Sequence, residues 1–325
     1  MNPTEFQSTI RDYRSRIDTE LRSLVRSQEP DYLYGPVQYV LKGQGKRLRP
    51  TLLLLVARLF RVSEDVALPA ALSVEILHNF SLIHDDIMDQ DDLRHGLPSV
   101  FRKWDESTAI LTGDVLFAMA YGELAKVKSN PLACVRALNV ATVKLCEGQA
   151  LDKSFESRED VILKEYLNMI RLKTATLLSL CCQLGAILGK ASQEKEREIG
   201  LFGELLGQAF QIQDDVLEIY SDVETMGKSL GSDVATGKKT YLTCRALEKD
   251  SDAWNRLMTS LKGENLESEA LPAMRVYFEE SGVMGEAKNE IRRILSLSRA
   301  KLDLFPVEAR QNLDHFVNML MARER

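Results

Sequence analysis

The stretch from Ser81 to Asp89 reads SLIHDDIMD and sets three aspartates at the end of an apolar segment. Asp85 and Asp89 stand four residues apart, so both lie on one face of a helix, with Asp86 beside them. Like charges at this spacing destabilise a helix. A solvated acidic turn would explain this cluster alone. A bound cation is the other explanation, and ligands made only of oxygen suit a hard ion such as Mg2+.

A second stretch repeats the arrangement, with FQIQDDVLE running from Phe210 to Glu218. Asp214 and Glu218 again stand four residues apart, and Asp215 follows Asp214. Two acidic clusters on apolar helices are harder to explain as solvated faces than one. We expect the two helices to face each other across a cavity and to hold Mg2+ ions around a polyphosphate.

Cationic residues precede the helix that we expect to begin with Pro50 at its first position. Lys46, Arg47 and Arg49 come directly before or within this start, after the flexible segment 43–45. A helix N-terminus carries about half a positive charge, so cations placed there indicate a bound anion. The pattern predicts a phosphate site, and a basic loop paired with surface acids is the alternative.

A glycine-spaced basic loop after the second acidic cluster carries Lys228 and Lys238, and it is weaker evidence for phosphate binding. The site would bind phosphate in two ways, through metal ions held by the acids and through direct contact with the cations. This suggests two phosphorylated substrates that are bound differently. Leu77, Phe80 and Ser81 precede the first acids on the same apolar helix. A ligand with a polyphosphate at the mouth of the cavity and a hydrocarbon chain inside it would be an isoprenoid diphosphate.

Helical spacing of apolar residues continues along almost the whole 325-residue chain. The 18 glycines and 9 prolines are few for this length, which argues against an all-β or many-stranded α/β fold. No linker or charge run divides the chain. We predict an all-α fold, a large single-domain helix bundle over residues 1–325 around a central apolar cavity, with an N-terminal helix within residues 1–30.

Charge and cysteine content point to an ordinary soluble protein. The net charge of −6 gives no sign of nucleic-acid binding. The 5 cysteines, with Cys181 and Cys182 adjacent, are typical of free thiols in a reducing compartment. The first residues lack the apolar core of a signal peptide, and the longest apolar runs fall short of the ~20 residues of a transmembrane segment. We expect no transmembrane segment and a cytoplasmic location.

Taken in order, these motifs resemble those of the trans-isoprenyl diphosphate synthases, the short-chain polyprenyl synthetases. The segment GKRLRP, Gly45 to Pro50, matches their GKRxRP, and DDIMD at Asp85 matches their first DDxxD. Lys173 and Thr174 match the central KT, and DDVLE matches the second DDxxD with Glu in the last place. Order and spacing agree over nearly the whole chain, from about residue 30 to residue 300.

The resemblance implies the isoprenoid synthase fold, a homodimer, and a Mg2+-dependent prenyltransferase. Its reaction would be the head-to-tail condensation of isopentenyl diphosphate with an allylic diphosphate (dimethylallyl, geranyl or farnesyl). About three Mg2+ ions per site are implied, with Mn2+ as a substitute metal. The expected product is geranylgeranyl diphosphate, and farnesyl diphosphate is the next candidate.

The resemblance also assigns roles to individual residues. The Mg2+ ligands would be Asp85, Asp86, Asp89, Asp214, Asp215 and Glu218. The residues that would contact the allylic diphosphate directly are Arg94, Lys173, Lys228 and Lys238. Thr174 and Gln211 would stabilise the developing allylic cation. Isopentenyl diphosphate would be held by Gly45, Lys46, Arg49 and His78, with help from His95.

Two positions bear on substrate and product. His95 stands where the family usually has a second arginine, and an imidazole is only partly charged near neutral pH. We therefore expect weaker binding of isopentenyl diphosphate, or binding that improves below about pH 6.5. Phe80, five residues before Asp85, would form a floor that in the family limits products to fifteen or twenty carbons. Leu77 would be a weaker barrier.

Two other functions stay open at this point. A class I terpene cyclase also uses an aspartate-rich motif and Mg2+, but it has no need for Lys46, Arg49 and His78. Its second metal motif usually mixes Asn, Ser or Thr, and Glu, unlike Asp214 and Asp215 here. A non-catalytic subunit of a heteromeric prenyl synthase is the other alternative, and the intact acid clusters argue against it.

Overall fold

The fold is seen in a computed structural model of the chain, which describes residues 2–25, 29–43, 45–220, 238–261 and 269–322. Helices account for most of these residues, which confirms the all-α prediction. In chain order the helices are α1 (Pro3–Ser23), α2 (Asp31–Lys42), α3 (Leu48–Leu59), α4 (Glu64–Asp89), α5 (Val100–Lys103), α6 (Glu106–Leu124), α7 (Pro131–Glu156), α8 (Leu163–Ile170), α9 (Thr176–Leu188), α10 (Gln193–Tyr220), α11 (Tyr241–Ser260), α12 (Leu271–Glu280), α13 (Val283–Ala300) and α14 (Val307–Met321). A π-helical segment, Arg171–Ala175, joins α8 to α9, and two short strands, β1 (Leu93–Arg94) and β2 (Leu97–Pro98), form a hairpin after α4.

A first compact unit consists of Met1–Ala141, Leu177–Gly203 and Lys301–Asn318. Helix α4 lies at its centre, with nearly every residue from 67 to 77 buried and with α3 and α6 packed on it. Helix α1 packs on α2, α3 and α4 through apolar residues at helical spacing, namely Phe6, Ile10, Tyr13, Ile17 and Leu21.

A second compact unit consists of Thr142–Thr176, Glu204–Ala300 and Met319–Arg325. In its described part, helix α11 packs on α8, α12 and α13. The ring of Trp254 stacks on that of Phe278 at 5.3 Å, and both are buried. The organisation of residues 1–325 as a single domain stays a prediction.

Three local features differ from the sequence prediction. Helix α3 begins at Leu48, so Pro50 is its third residue and not its first. The sequence predicts separate helices over residues 238–248 and 251–261, whereas the structure has one helix, α11, with a kink at Asp250 (φ −157°, ψ 87°). The β1–β2 hairpin was not predicted, because strands of two residues are too short to show an alternating pattern.

Two helical stretches are long and apolar enough to cross a membrane, Glu64–Asp89 and Leu163–Leu188. Most of each apolar window is buried inside the protein, 72% and 78% respectively. Burial of this kind is that of a core helix, whose apolar surface is already covered by protein.

Candidate active site

The first acidic cluster lies on the last turns of α4, as the sequence predicted. Asp85 and Asp89 are half-buried, whereas Asp86 is buried and forms an ion pair with Arg94. Arg94 Nε donates to Asp86 Oδ1 at 2.8 Å, and Arg94 also reaches Asp91 at 3.2 Å. The C-terminal end of a helix carries partial negative charge, so carboxylates there favour a bound cation.

The hairpin after α4 positions Arg94 and its neighbour His95. His95 (φ 53°) and Gly96 (φ 76°) both have positive φ and form the two-residue turn between β1 and β2. Turns of this kind match the twist of a hairpin, and histidine is enriched among the few residues other than glycine that adopt left-handed backbone. The turn therefore accepts histidine where the family usually has arginine.

The cations around the start of α3 lie in different environments. Lys46 is exposed, and Arg49 is half-buried with Nη1 2.9 Å from His78 Nε2. Arg47 does not belong to the anion site with them, because its side chain is 3% exposed and pairs with Asp18 and Glu75. A guanidinium whose charge is matched by two carboxylates in the interior is a structural group.

Positive charge is concentrated around His78, three residues after Glu75 on α4. Burial is the largest cause that lowers the pKa of His78 well below its usual value, and the nearby charges of Arg49 and His95 lower it further. Arg94 and Arg47 act in the same direction. The predicted site residues Arg49, His78, Arg94 and His95 are thus close enough to interact, as a site for a polyanion requires.

The residues predicted to limit product length occupy the middle of α4. Leu77 is fully buried, and the hydroxyl of Ser81 donates to the carbonyl of His78. The half-buried ring of Phe80 lies 5.4 Å from that of Phe117 on α6 and 4.8 Å from that of His84. The sequence prediction missed Phe117, although its spacing of four from Tyr121 places two aromatic rings on one face of α6.

In the second unit, Lys173 and Thr174 lie within the π-helical segment that interrupts the α8–α9 stretch. Insertions of this kind are frequent at functional sites. Lys173 Nζ donates to Asp152 of α7 at 2.6 Å. A Cβ at Gly148 would lie 2.3 Å from the backbone nitrogen of Lys173, so only glycine allows this close approach. Asp152 and Gly148 were missed, and their spacing of four on one helix was the available signal.

A chain of hydrogen bonds links Thr174 to the second acidic cluster. The Thr174 hydroxyl donates to Gln211 Oε1 at 2.8 Å, and Gln211 Nε2 donates to Asp215 Oδ1 at 3.2 Å. The backbone N–H of Tyr241 donates to Asp215 Oδ2 at 2.7 Å, and the Tyr166 hydroxyl donates to the same oxygen. Asp215 is thus buried and held by protein groups.

The remaining members of the second cluster repeat the pattern of the first. Asp214 and Glu218 are half-buried on the last turns of α10, four residues apart. Lys238 is half-buried and stands just before Thr240, which caps the N-terminus of α11. Lys228 lies outside the described residues, so its assignment stays a prediction.

The acids fit a magnesium site of a particular kind. Within the described ranges, no three acidic, histidine or cysteine side chains are grouped as in a preformed metal cage. Magnesium is usually bound by one or two carboxylates together with substrate phosphates and water. Asp85 with Asp89, and Asp214 with Glu218, each offer such a pair of carboxylates on one helix face. All six metal assignments stay predictions, including those of the buried Asp86 and Asp215.

Comparison with known proteins gives consistent matches over most of the chain. The family model for polyprenyl synthetase matches residues 30–276. A geranylgeranyl diphosphate synthase of Methanosarcina mazei is 39% identical over 298 residues, which cover 91% of this chain and 90% of that protein. A geranylfarnesyl diphosphate synthase of Natronomonas pharaonis is 34% identical over 337 residues, covering 98% and 97%. The structure of a geranylgeranyl pyrophosphate synthetase from Pyrococcus horikoshii matches with a TM-score of 0.90, 30% identity and 100% of both chains.

Proposed function

The chain belongs to the polyprenyl synthetase family, the trans-isoprenyl diphosphate synthases, and from this premise we propose that it makes geranylgeranyl diphosphate. It is a prenyltransferase with the isoprenoid synthase fold, and it makes short-chain prenyl diphosphates from isopentenyl diphosphate and allylic diphosphates. Dependence on Mg2+ is typical of this family.

One observation carries the proposed chemistry, namely that α4 bears two different anchors for phosphate. His78 lies seven residues before Asp85, which corresponds to about 10 Å of helix rise, and the cations Arg49 and His95 from other elements lie close to His78. The cationic anchor suits isopentenyl diphosphate, whose phosphate is kept in the product. The carboxylate anchor suits an allylic diphosphate, whose diphosphate leaves.

We assign the residues of the reaction accordingly. Asp85, Asp89, Asp214 and Glu218 hold Mg2+, and Asp86 and Asp215 are retained as candidate ligands. When bound, Mg2+ would neutralise the negative charge that develops on the leaving diphosphate. The cations on that diphosphate are Arg94, Lys173, Lys228 and Lys238, with the ammonium of Lys173 oriented by Asp152. Gly45, Lys46, Arg49, His78 and His95 bind isopentenyl diphosphate.

Thr174 and Gln211 support the carbocation that remains on the allylic carbon. Because the Thr174 hydroxyl donates its proton to Gln211, the lone pairs of its own oxygen stay available to face positive charge. The released diphosphate takes the proton after the new carbon–carbon bond forms. Water must be excluded from this cation, because it would otherwise trap the cation before the new bond forms.

Phe80 supports geranylgeranyl diphosphate as the product. The ring lies on α4 a little over one turn before Asp85, and Phe117 backs it. A floor at this depth stops chain growth at a short product. The relative in Natronomonas pharaonis is a geranylfarnesyl diphosphate synthase, so the next longer product is the competing outcome to be measured.

A homodimer is the proposed assembly. Helices α6 and α7 carry large apolar side chains that are exposed in the single chain: Ile110, Leu111, Phe117, Leu132, Val140 and Val143. Exposed apolar surface of this extent is typical of a protein–protein interface. Light scattering on the wild type and on Leu111→Glu measures the assembly, and we expect a dimer that the variant weakens.

The five cysteines are thiols, as in a reducing compartment, and we propose a cytoplasmic location.

The direct test is incubation of the purified chain with labelled isopentenyl diphosphate. Dimethylallyl, geranyl and farnesyl diphosphates are supplied one at a time, with Mg2+, with Mn2+ and with a chelator. We expect Mg2+-dependent formation of geranylgeranyl diphosphate from each. A cyclic hydrocarbon formed without isopentenyl diphosphate would identify a terpene cyclase, and activity only with a second protein would identify a subunit of a heteromeric synthase.

A further inference from the structure

The arginine at the start of α3 has an unusual backbone. Arg47 is the N-cap residue of α3 and adopts the left-handed region, with φ 48° and ψ 39°. This conformation costs free energy for any residue with a side chain. Such an outlier persists where surrounding contacts over-determine it, and these positions cluster at functional sites.

The contacts that hold Arg47 use every nitrogen of its guanidinium. Nε donates to Asp18 Oδ1 at 2.8 Å, and Nη1 donates to Glu75 Oε1 at 2.8 Å. Nη2 donates to the carbonyl of Gly43 at 2.6 Å and to that of Leu41 at 3.4 Å. The side chain therefore joins α1, α4 and the end of α2.

The proposed binding segment for isopentenyl diphosphate packs against the Arg47 guanidinium. A Cβ at Gly45 would lie 3.0 Å from Arg47 Nη1, so the backbone of Gly45 lies directly against the guanidinium. Glu75 contacts Arg47, and His78, one turn further along α4, contacts Arg49. The two arginines are two residues apart. The position of Arg49 against His78 thus depends on how Arg47 is held.

Asp18 lies in a part of the chain that the polyprenyl synthetase family model does not match. It lies on α1, before the matched region 30–276. Its side chain is 32% exposed, whereas that of Glu75 is 5% exposed. Five buried apolar residues attach α1 to the protein independently of Asp18. Removal of the Asp18 carboxylate should therefore leave the helix docked and loosen Arg47.

We propose that α1 forms part of the isopentenyl diphosphate site, with Asp18 as a positioning residue that acts through Arg47. The inference rests on the proposed function. Asp18 orients the Arg47 guanidinium, which orders Gly43 and Gly45 and with them the neighbouring Lys46 and Arg49. The residue touches no substrate, and its effect is specific for the substrate that this segment binds.

The test compares Asp18→Ala with the conservative Asp18→Glu and with a matched control, Asp12→Asn. Asp12 is an exposed acid on the same helix, six residues earlier. We expect Asp18→Ala to raise KM for isopentenyl diphosphate about tenfold, the effect of losing one charge-assisted hydrogen bond. KM for the allylic diphosphate and kcat should stay near wild type. Asp18→Glu should restore most of the affinity, and Asp12→Asn should match wild type.

A second measurement reports on the coupling without turnover. Hydrogen–deuterium exchange of the peptide covering the start of α3 should be faster in Asp18→Ala than in wild type and unchanged in Asp12→Asn. Equal rises of both KM values, or an unchanged KM for isopentenyl diphosphate, would overturn the inference while the proposed function stands. A wild-type protein that does not condense isopentenyl diphosphate would overturn the proposed function and the inference with it.

Discussion

Arg49 Nη1 lies 2.9 Å from His78 Nε2, and this contact determines the protonation state of the histidine. A guanidinium can only donate hydrogen bonds, so Nε2 accepts and the imidazole proton resides on Nδ1. Burial and the neighbouring cations lower the pKa of His78 well below its usual value, which keeps the ring neutral. A neutral His78 is available to donate Nδ1–H to a diphosphate.

The lowered pKa of His78 predicts a pH-dependent contribution to folding stability. In the unfolded chain the ring titrates near about 6.5, and in the folded protein it titrates lower. The stabilisation is therefore present above the unfolded pKa and is lost as the pH falls through the folded pKa. Urea denaturation of wild type and His78→Gln between pH 7.5 and 5 should show a shrinking stability difference. A difference that is constant over this range would contradict the prediction.

The two adjacent acids of the first cluster should differ in what they contribute. Asp85→Asn is expected to lower kcat by about 10²–10³-fold, because Mg2+ on the leaving group is lost, and to leave the melting temperature unchanged. Asp86→Asn weakens the ion pair with Arg94, which should lower the unfolding free energy by about 1–3 kcal/mol. Thermal melts and steady-state rates of the two variants measure the contrast. A destabilised Asp85→Asn with normal turnover would count against the site.

His95 should set the pH dependence of isopentenyl diphosphate binding. An imidazole gains charge as the pH falls towards about 6, whereas an arginine stays charged throughout. We expect His95→Arg to lower KM for isopentenyl diphosphate at pH 8 and to flatten its change between pH 8 and 6. His95→Gln is the uncharged control and should be weak at every pH. Wild-type binding that does not vary between pH 6 and 8 would remove this role.

The sequence predicted what depends on local pattern, and the structure added what depends on distant partners. The ends of α4 and α10 and their acid clusters follow from apolar spacing and from motif order. The fate of Arg47 does not, because its partners Asp18 and Glu75 stand 29 and 28 residues away. Asp152 was missed because the role of its carboxylate depends on Lys173, which stands 21 residues away on another helical segment.

The hydroxyl of Tyr166 should stabilise the second acidic cluster. It donates to the buried carboxylate of Asp215, beside the backbone N–H of Tyr241. Tyr166→Phe keeps the ring and removes the donor, which should lower the unfolding free energy by about 1–3 kcal/mol. Burial raises the pKa of Tyr166 well above its usual value, so this hydroxyl should ionise at a higher pH than a solvent-exposed tyrosine in a spectroscopic titration. Tyr32→Phe, at an exposed ring whose hydroxyl accepts a hydrogen bond from Thr108, is the comparison variant and should cost less stability.

Product length tests the apolar end of the site. The ring of Phe80 lies 5.4 Å from that of Phe117, so the proposed floor would consist of two rings. Phe80→Ala should shift the products towards chains longer than twenty carbons, and addition of Phe117→Ala should shift them further. Phe80→Tyr keeps the ring and should leave the distribution unchanged. Chromatography of the dephosphorylated products measures these shifts. If Phe80→Ala and wild type give the same products, another group stops the chain, and a residue from the second subunit of a dimer becomes the explanation to test.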